Sequence, residues 1–187
     1  MPHASFVSKT WLALLTLTLL PFFPAGCASW NPDKPAEAEK AAQEAVAEFM
    51  KKDPSMKSFF DKAYAYAVFP TVGKGAAGIG GAYGSGSVHR GGKMIAYTSL
   101  TQVNIGFQLG GQAYREIIFF KNEKAFNTFK DGKLEFAAQA TAVAATAGAA
   151  ANASYANDVA VFTTIKGGLM YEASIGGQGF SYEPLKK

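Results

Sequence analysis

The segment VGKGAAGIGGAYGSG, residues 72–86, contains the spacing G-x-G-x-x-G at Gly73, Gly75 and Gly78. In dinucleotide-binding folds that spacing ends a strand, opens a helix and brings backbone amides against a pyrophosphate. The chemistry needs a helix that starts inside the motif and an acidic residue about 20 positions further on. Glycine at 78, 80, 81, 84 and 86 forbids the helix start, and the residues near 95 are apolar. No G-x-x-x-x-G-K-[ST] loop occurs either, so no nucleotide is expected as a ligand. Other reactive groups are sparse. With His3 near the N-terminus, His89 is the one histidine further along, and it precedes Arg90-Gly91-Gly92. It reads as an exposed turn residue, because a metal site needs several convergent ligands. G-x-S-x-G is absent, and Gly84-Ser85-Gly86 lies in a strand pattern. Asp61, Glu116, Glu123, Asp131, Glu135, Asp158 and Glu172 are scattered without a pair that reads as acid and base. Cys27, the single cysteine, makes neither an internal disulfide nor, alone, a metal cage. No catalytic residue, metal ligand or cofactor is assigned, and the chain is not expected to be an enzyme.

The elements around these residues begin with an N-terminal segment that is not part of the fold. Lys9 is followed by TWLALLTLTLL and then PFFPAGC. A cation, an apolar stretch and small residues before a cut describe an export signal. The apolar run is shorter than the roughly 20 residues of a spanning helix, and Pro21 and Pro24 break it. Cys27, directly after Pro24-Ala25-Gly26, resembles the lipobox cysteine of bacterial lipoproteins, with Pro24 where leucine is usual. That resemblance implies cleavage before Cys27 and acylation of its sulfur and its amine. Several chains, each CH₂ contributing about 0.8 kcal/mol, anchor stably where one does not. Ala28 and Ser29 after the cysteine point, by the same resemblance, to an outer-membrane lipoprotein facing the periplasm of a bacterial envelope. The expected organisation is a signal over 1–26, a lipidated tether over 27–36 and a single domain over 37–187.

The formal net charge is +4, and no four Lys/Arg run together. That excludes a nucleic-acid footprint and leaves a weak preference for anionic surfaces. A helix is expected from Pro35, with Ala38, Ala42, Ala45, Val46 and Phe49 on one face. Asp53-Pro54 restarts a short second one through Phe59 and Phe60. From Tyr64 the period becomes two. Strands are expected over YAYAVFP and the glycine segment, Met94–Leu109, AYREIIFF, DVAVFTTI and LMYEASI, with hairpin turns at Gly91-Gly92 and Gly167-Gly168. On the Met94–Leu109 strand Val103, Ile105, Phe107 and Leu109 share one parity and Gln102, Asn104 and Gln108 the other. NEKAFNTFKDG reads as a short helix capped by Asn122 and stopped by Gly132. The fold class is α+β: a mainly antiparallel sheet curled into a sandwich or flattened barrel, with N-terminal helices and one short inserted helix packed on it.

Positions 76, 78, 80, 82, 84 and 86 are Ala, Gly, Gly, Ala, Gly and Gly. One face of that strand carries nothing larger than methyl, so something large lies over it: aromatic side chains, a helix or an apolar ligand.

AVFPTVGKGAAGIGGAYGSGSVHRGGK, GFQLGGQAYREIIFFKNEKAFNTF and the small-residue stretch after them resemble the SYLF domain family. The resemblance spans roughly Asp53 to Ile175. It is carried by the Phe69-Pro70 turn, Lys74, the strand Gly80-Gly81-Ala82-Tyr83-Gly84-Ser85-Gly86 and the strand Gly106-Phe107-Gln108-Leu109-Gly110. It implies a non-catalytic lipid-binding domain and favours strand over residues 134–151. Candidate lipid-binding residues are Lys74, Arg90, Lys93, Gly80 and Gly84, with Lys51, Lys52 and Lys57 as further cations facing anionic headgroups. The implied partner is a phospholipid membrane or anionic lipid. A scaffolding lipoprotein that binds an envelope protein is the alternative. A transmembrane barrel is disfavoured by the polar N-terminal helices, the EPLKK ending and the lack of aromatic girdles. A Cys27→Ser chain is expected to lose palmitate labelling, with the signal left uncut at this site or the protein released unlipidated. A variant that still labels and stays membrane-bound contradicts the anchor.

Overall fold

The computed structural model describes residues 35–133, 143–144, 146–168 and 177–186. Cys27, residues 28–34 of the tether and the LMYEASI segment lie outside the described residues, while Pro35 and Ala36, read as tether, belong to the first helix. Helix α1 runs over Pro35–Lys52, a 3-10 turn over Pro54–Met56 and helix α2 over Lys57–Lys62. Two long strands follow, β1 (Ala65–Arg90) and β2 (Lys93–Phe120), then helix α3 (Glu123–Lys130). The remainder is β3 (Val143–Ala144), a 3-10 turn at Ala150–Asn152, β4 (Val159–Gly168), β5 (Gln178–Phe180) and β6 (Glu183–Pro184). The sheet order is β1-β2-β4-β3, with β5 and β6 paired to β2. All pairings are antiparallel except β3 with β4, and β3 and β1 lie at the ends of the path, so the sheet is not closed into a barrel.

The sequence reads as several short strands where the structure has one hairpin. Gly91 and Gly92, at φ 58° and 76°, turn it, with Arg90 opposite Lys93. Positive φ at both central residues matches the right-handed strand twist, and glycine takes it at no steric cost. Phe69-Pro70 is a bulge within β1 and not a turn: the register slips between Phe69 and Val72. Pro70 has no amide hydrogen to give to the ladder, so the strand bends there. A second slip falls between Ala77 and Ile79. With these bends the first half of β1 lies across the second. A Cβ on Gly86 would overlap the Val68 carbonyl oxygen and sit 2.8 Å from Phe69 Cδ1. One on Gly84 would sit 2.7 Å from Val72 Cγ2 and 3.0 Å from the Thr71 carbonyl oxygen. The glycine face is covered, as expected, but by the chain's own backbone with Phe69 and Val72. It is no groove for an apolar ligand at these positions.

Helices pack on the face of β1, β2 and β4 that carries Val68, Ile117, Phe119 and Phe162. Ala42, Ala45 and Phe49 of α1 and Met56 and Phe59 beyond it are buried there. Phe59 meets Phe162 edge-on at 4.9 Å and Phe119 at 5.4 Å. Glu48 of α1 pairs with Arg115 at 2.9 Å and Lys52 at 3.3 Å, and Lys52 also donates to Thr164. Asp53, fully buried, closes this layer: its carboxylate accepts from Ser55 N (3.0 Å), Gly148 N (3.2 Å) and Ala150 N (2.7 Å). Burial raises its pKa, but the hydrogen bonds outweigh burial and hold the carboxyl below its ordinary value. α3 covers the other cluster, where Phe129 lies 4.8 Å from Phe120 and 5.3 Å from Phe180. Asn122 caps α3 by accepting from Ala125 N at 3.0 Å, and Gly132 ends it at φ 66°.

Two expectations are corrected. β4 continues through Gly167 and Gly168, paired with Ala113 and Gln112, where a turn was expected. Of residues 134–151, Val143–Ala144 form a strand, whereas Ala150 begins a 3-10 turn; 134–142 and 145 lie outside the described residues.

Gly86→Val is expected to destabilise the domain by about 3 kcal/mol or more, because backbone cannot yield as a side chain does. Gly75→Ala, with nothing within 4 Å of its Cβ position, is expected to change stability by less than about 0.5 kcal/mol. Equal melting temperatures for the two variants would contradict the crossing.

Candidate functional site

The sequence puts no reactive group beside another, so a site has to come from folding. The hairpin turn and the middle of α1 border a small cleft. Ala42, Val46 and Ala47 form an apolar wall, Tyr66 and His89 the floor, and Glu39, Gln43 and Gly92 the remaining lining. Its volume is about 220 Å³, below the roughly 300–1,000 Å³ of pockets that enclose a drug-sized ligand. It suits a slim apolar group, such as the end of an acyl chain, but not a whole lipid.

His89 is therefore not the exposed turn residue read from the sequence. A register slip between Val88 and His89 turns its ring inward, leaving it 5 % exposed. The ring stacks on Tyr66 at 5.1 Å with a 4° tilt, and Nε2 lies 2.8 Å from Ser87 Oγ. Burial pushes its pKa down to about 4, so it is neutral near pH 7. Ser87 is buried and is not part of the cleft lining, so the Ser–His pair offers no nucleophile to a bound molecule. Among the described residues no three His, Cys, Asp or Glu cluster as a metal site.

The candidate lipid-binding residues are not brought together. Lys74 is only 5 % exposed, opposite Gln112, which withdraws it from the surface where headgroups were expected to meet it. Arg90 and Lys93 are exposed at the hairpin turn, with the Arg90 guanidinium 4.1 Å over the Tyr64 ring. Because Tyr66 meets His89 while Val72 meets Gly84, β1 doubles back, and Lys74 points toward the end away from the turn. Gly80 is buried, and Gly84 is closed by Thr71 and Val72. Lys52 is held by Glu48 and Thr164, and Lys57 pairs with Asp61 at 2.7 Å, while Lys51 is exposed.

A buried polar row was missed. Gln112, Tyr114 and Glu116 alternate along β2 on the face that also carries Ile118 and Phe120, and β5 brings Gln178 over them. Glu116 is fully buried, and its Oε2 accepts from Gln178 Nε2 at 3.1 Å. Among the described residues Oε1 has no hydrogen-bond partner, nor does Gln178 Oε1. Burial pushes Glu116 up to about 7, against the lowering effect of the Gln178 bond. Burial first, then the Glu116 charge, raises Tyr114 far above its ordinary range. In sequence Glu116 is one carboxylate among several; the contact with residue 178 lies 62 positions away and leaves no local pattern.

Residues 101–183 match the family model Ysc84, described as Las17-binding protein actin regulator. Over those residues the chain is similar to the Ysc84 family. This is the SYLF family that the sequence resembles, and the matched segment takes in most of β2, α3, the inner strand β4 and β5. Beta cell expansion factor A of Aeromonas veronii is 28 % identical over 155 residues, 80 % of this chain. The chain spans 59 % of that relative's length.

Glu116 makes stability depend on pH with a definite sign. Its folded pKa lies above the unfolded value, so its contribution is whole below about 4.5 and is lost as pH rises through about 7. His89 acts in the opposite sense: its folded pKa is depressed, so its contribution falls as pH drops from 6.5 toward 4. Glu116→Gln is expected to melt progressively higher than the parent as pH rises from 4.5 to 8, by on the order of 3 kcal/mol at the top. Parallel melting profiles across that range would contradict the burial of an ionisable Glu116.

Proposed function

We propose that this chain is a membrane-tethered bacterial lipoprotein whose Ysc84 domain binds lipid and catalyses no reaction. The family match over residues 101–183 carries the reading, since the family is one of binding and regulatory domains. The site geometry supports surface engagement. The glycine face is filled by the chain itself, and the cleft beside α1 holds at most part of a lipid. Arg90 and Lys93 at the turn and Lys51 on α1 are the exposed cations among the candidates and are positioned in solvent to meet anionic headgroups, each worth about 1 kcal/mol close to such a surface. The lipobox resemblance at Cys27 supports the anchor, and Ala28 and Ser29 after it support an outer-membrane lipoprotein facing the periplasm. A second reading, a scaffold for an envelope protein, is favoured by the family description, which names binding to a protein.

Native mass spectrometry of the exported chain with Cys27→Ser, purified from cells, separates the two. Co-purified phospholipid is the expected result. A protein retained through washing with no lipid present would replace the lipid reading by the scaffold.

A further inference from the structure

The cleft beside α1 is lined for a flat ring. Ala38, Ala42, Ala45 and Phe49 of α1 are buried in the core. Val46 is only half-buried and Ala47 is exposed, and both line the cleft. Opposite them the Tyr66 ring is fixed by two neighbours. It stacks on His89 at 5.1 Å with a 4° tilt, and Phe60 meets it edge-on at 5.2 Å. Tyr66 is still half-buried, so part of its surface is left to the cleft. Glu39 and Gln43 complete the lining on the α1 side and carry acceptor oxygens. A fixed aromatic floor, an aliphatic wall and two acceptors suit a ring with an apolar body and one N–H, which is an indole.

An indole lies close by in the chain. The segment between Cys27 and α1 is ASWNPDK, and Trp30 is its one large apolar side chain. Trp30, outside the described residues, stands five residues before Pro35, where α1 begins. Five residues reach about 17 Å. Along the helix axis Glu39 is about 6 Å from Pro35 and Gln43 about 12 Å, so both fall inside that reach. To lie beside the helix the tether has to reverse direction. Asn31-Pro32-Asp33 has the residue types for a turn: asparagine opens it, proline presets the next position and aspartate tolerates the one after.

Linkage and size select this occupant. A side chain on a short tether meets the cleft at an effective concentration in the millimolar range. A free acyl chain or a second copy has to displace it from a lower one. The cleft, about 220 Å³, takes one side chain, whereas a stable dimer buries about 800 Å² on each partner.

We propose that Trp30 folds back and seats its indole in the cleft between α1 and the hairpin turn, against Tyr66 and Val46. The occupant is the chain's own tether, and the cleft is closed to acyl chains while the indole is in place. Cys27 lies three residues before Trp30, so it is held within roughly 10 Å of the docked residue. On the lipoprotein reading this sets the edge formed by α1 and the hairpin turn closest to the membrane. The docking itself does not depend on that reading.

The test uses the exported chain with Cys27→Ser, which removes the acyl anchor, and Trp11→Phe, which leaves Trp30 the only tryptophan even where the signal is retained. Ala47→Phe fills the cleft from its exposed side, and Glu44→Phe adds the same ring to α1 outside the cleft lining. Trp30 emission is expected to the blue of the urea-unfolded chain. Acrylamide quenching is expected to be at least about threefold weaker in the parent and Glu44→Phe chains than in Ala47→Phe. An Overhauser contact between the indole protons and the Val46 methyls is expected in the parent, and it carries the test if Ala47→Phe does not fold. Equal, strong quenching in all three chains means a free indole and overturns the docking. Shielding that Ala47→Phe leaves intact, with no contact to Val46, puts the indole elsewhere and overturns it too. Shielding lost on dilution assigns the cleft to the tryptophan of a second copy, which also overturns the proposal. Lipid binding is read separately, from co-purified phospholipid, so failure of the docking leaves that reading standing.

Discussion

Two missing side chains, at Gly84 and Gly86, let one strand lie across itself, and the rest of the fold depends on that contact. The Val68 carbonyl oxygen occupies the space where a Gly86 side chain would begin, and Val72 does the same at Gly84. Backbone this close to backbone tolerates no Cβ. The crossing sets Phe69 against both Gly86 and Phe180, carries Tyr66 to His89, and lets Gln178 reach Glu116. Each of these contacts joins a residue from one half of the hairpin, or from a strand paired to it, to one from the other. An open hairpin of 26- and 28-residue strands would leave both faces to find other partners.

The crossing also explains an interior that is polar at one end. Where Phe69, Leu100, Phe120 and Phe129 meet, the core is hydrocarbon. Further from the turn the inward positions are Gln102, Gln112, Glu116 and Gln178. Hydrogen bonds within such a row specify register, but an ionised carboxylate there has a high desolvation cost. Glu116 resolves this by holding its proton to about pH 7, while His89 on the other side of the hairpin stays neutral down to about 4. The two groups favour opposite ends of the pH range, so the domain is best suited to the window where Glu116 is protonated and His89 is not.

Much of this was legible in the sequence where the signal is local. Asn122 and Gly132 mark α3, Gly91-Gly92 mark the hairpin turn, and the spacing of Ala38, Ala42, Ala45 and Phe49 marks the buried face of α1. The row of small residues signalled a close approach, though not what approaches. Contacts between distant positions were illegible. Tyr66 against His89 and Gln178 against Glu116 depend on how the bulge at Phe69-Pro70 aims the strand, and a proline in a strand pattern reads equally as a turn. Alternation on β2 identified the two faces, but which one turns inward is set by the crossing, so buried Gln102 and exposed Val103 reverse the ordinary expectation. Lys74 and Arg90 were both read as headgroup-facing cations, but the fold buries Lys74 and leaves Arg90 exposed at the turn.

The crossing is most directly tested by the nuclear Overhauser contact between the Phe69 ring and the Gly86 α-protons in isotope-labelled protein. A ring carbon 2.8 Å from the Cβ position predicts a strong cross-peak and a ring-current shift of one Gly86 α-proton away from its random-coil value. A Gly86 α-proton pair at ordinary strand shifts, with cross-peaks only to Thr98 on the neighbouring strand, would contradict the account.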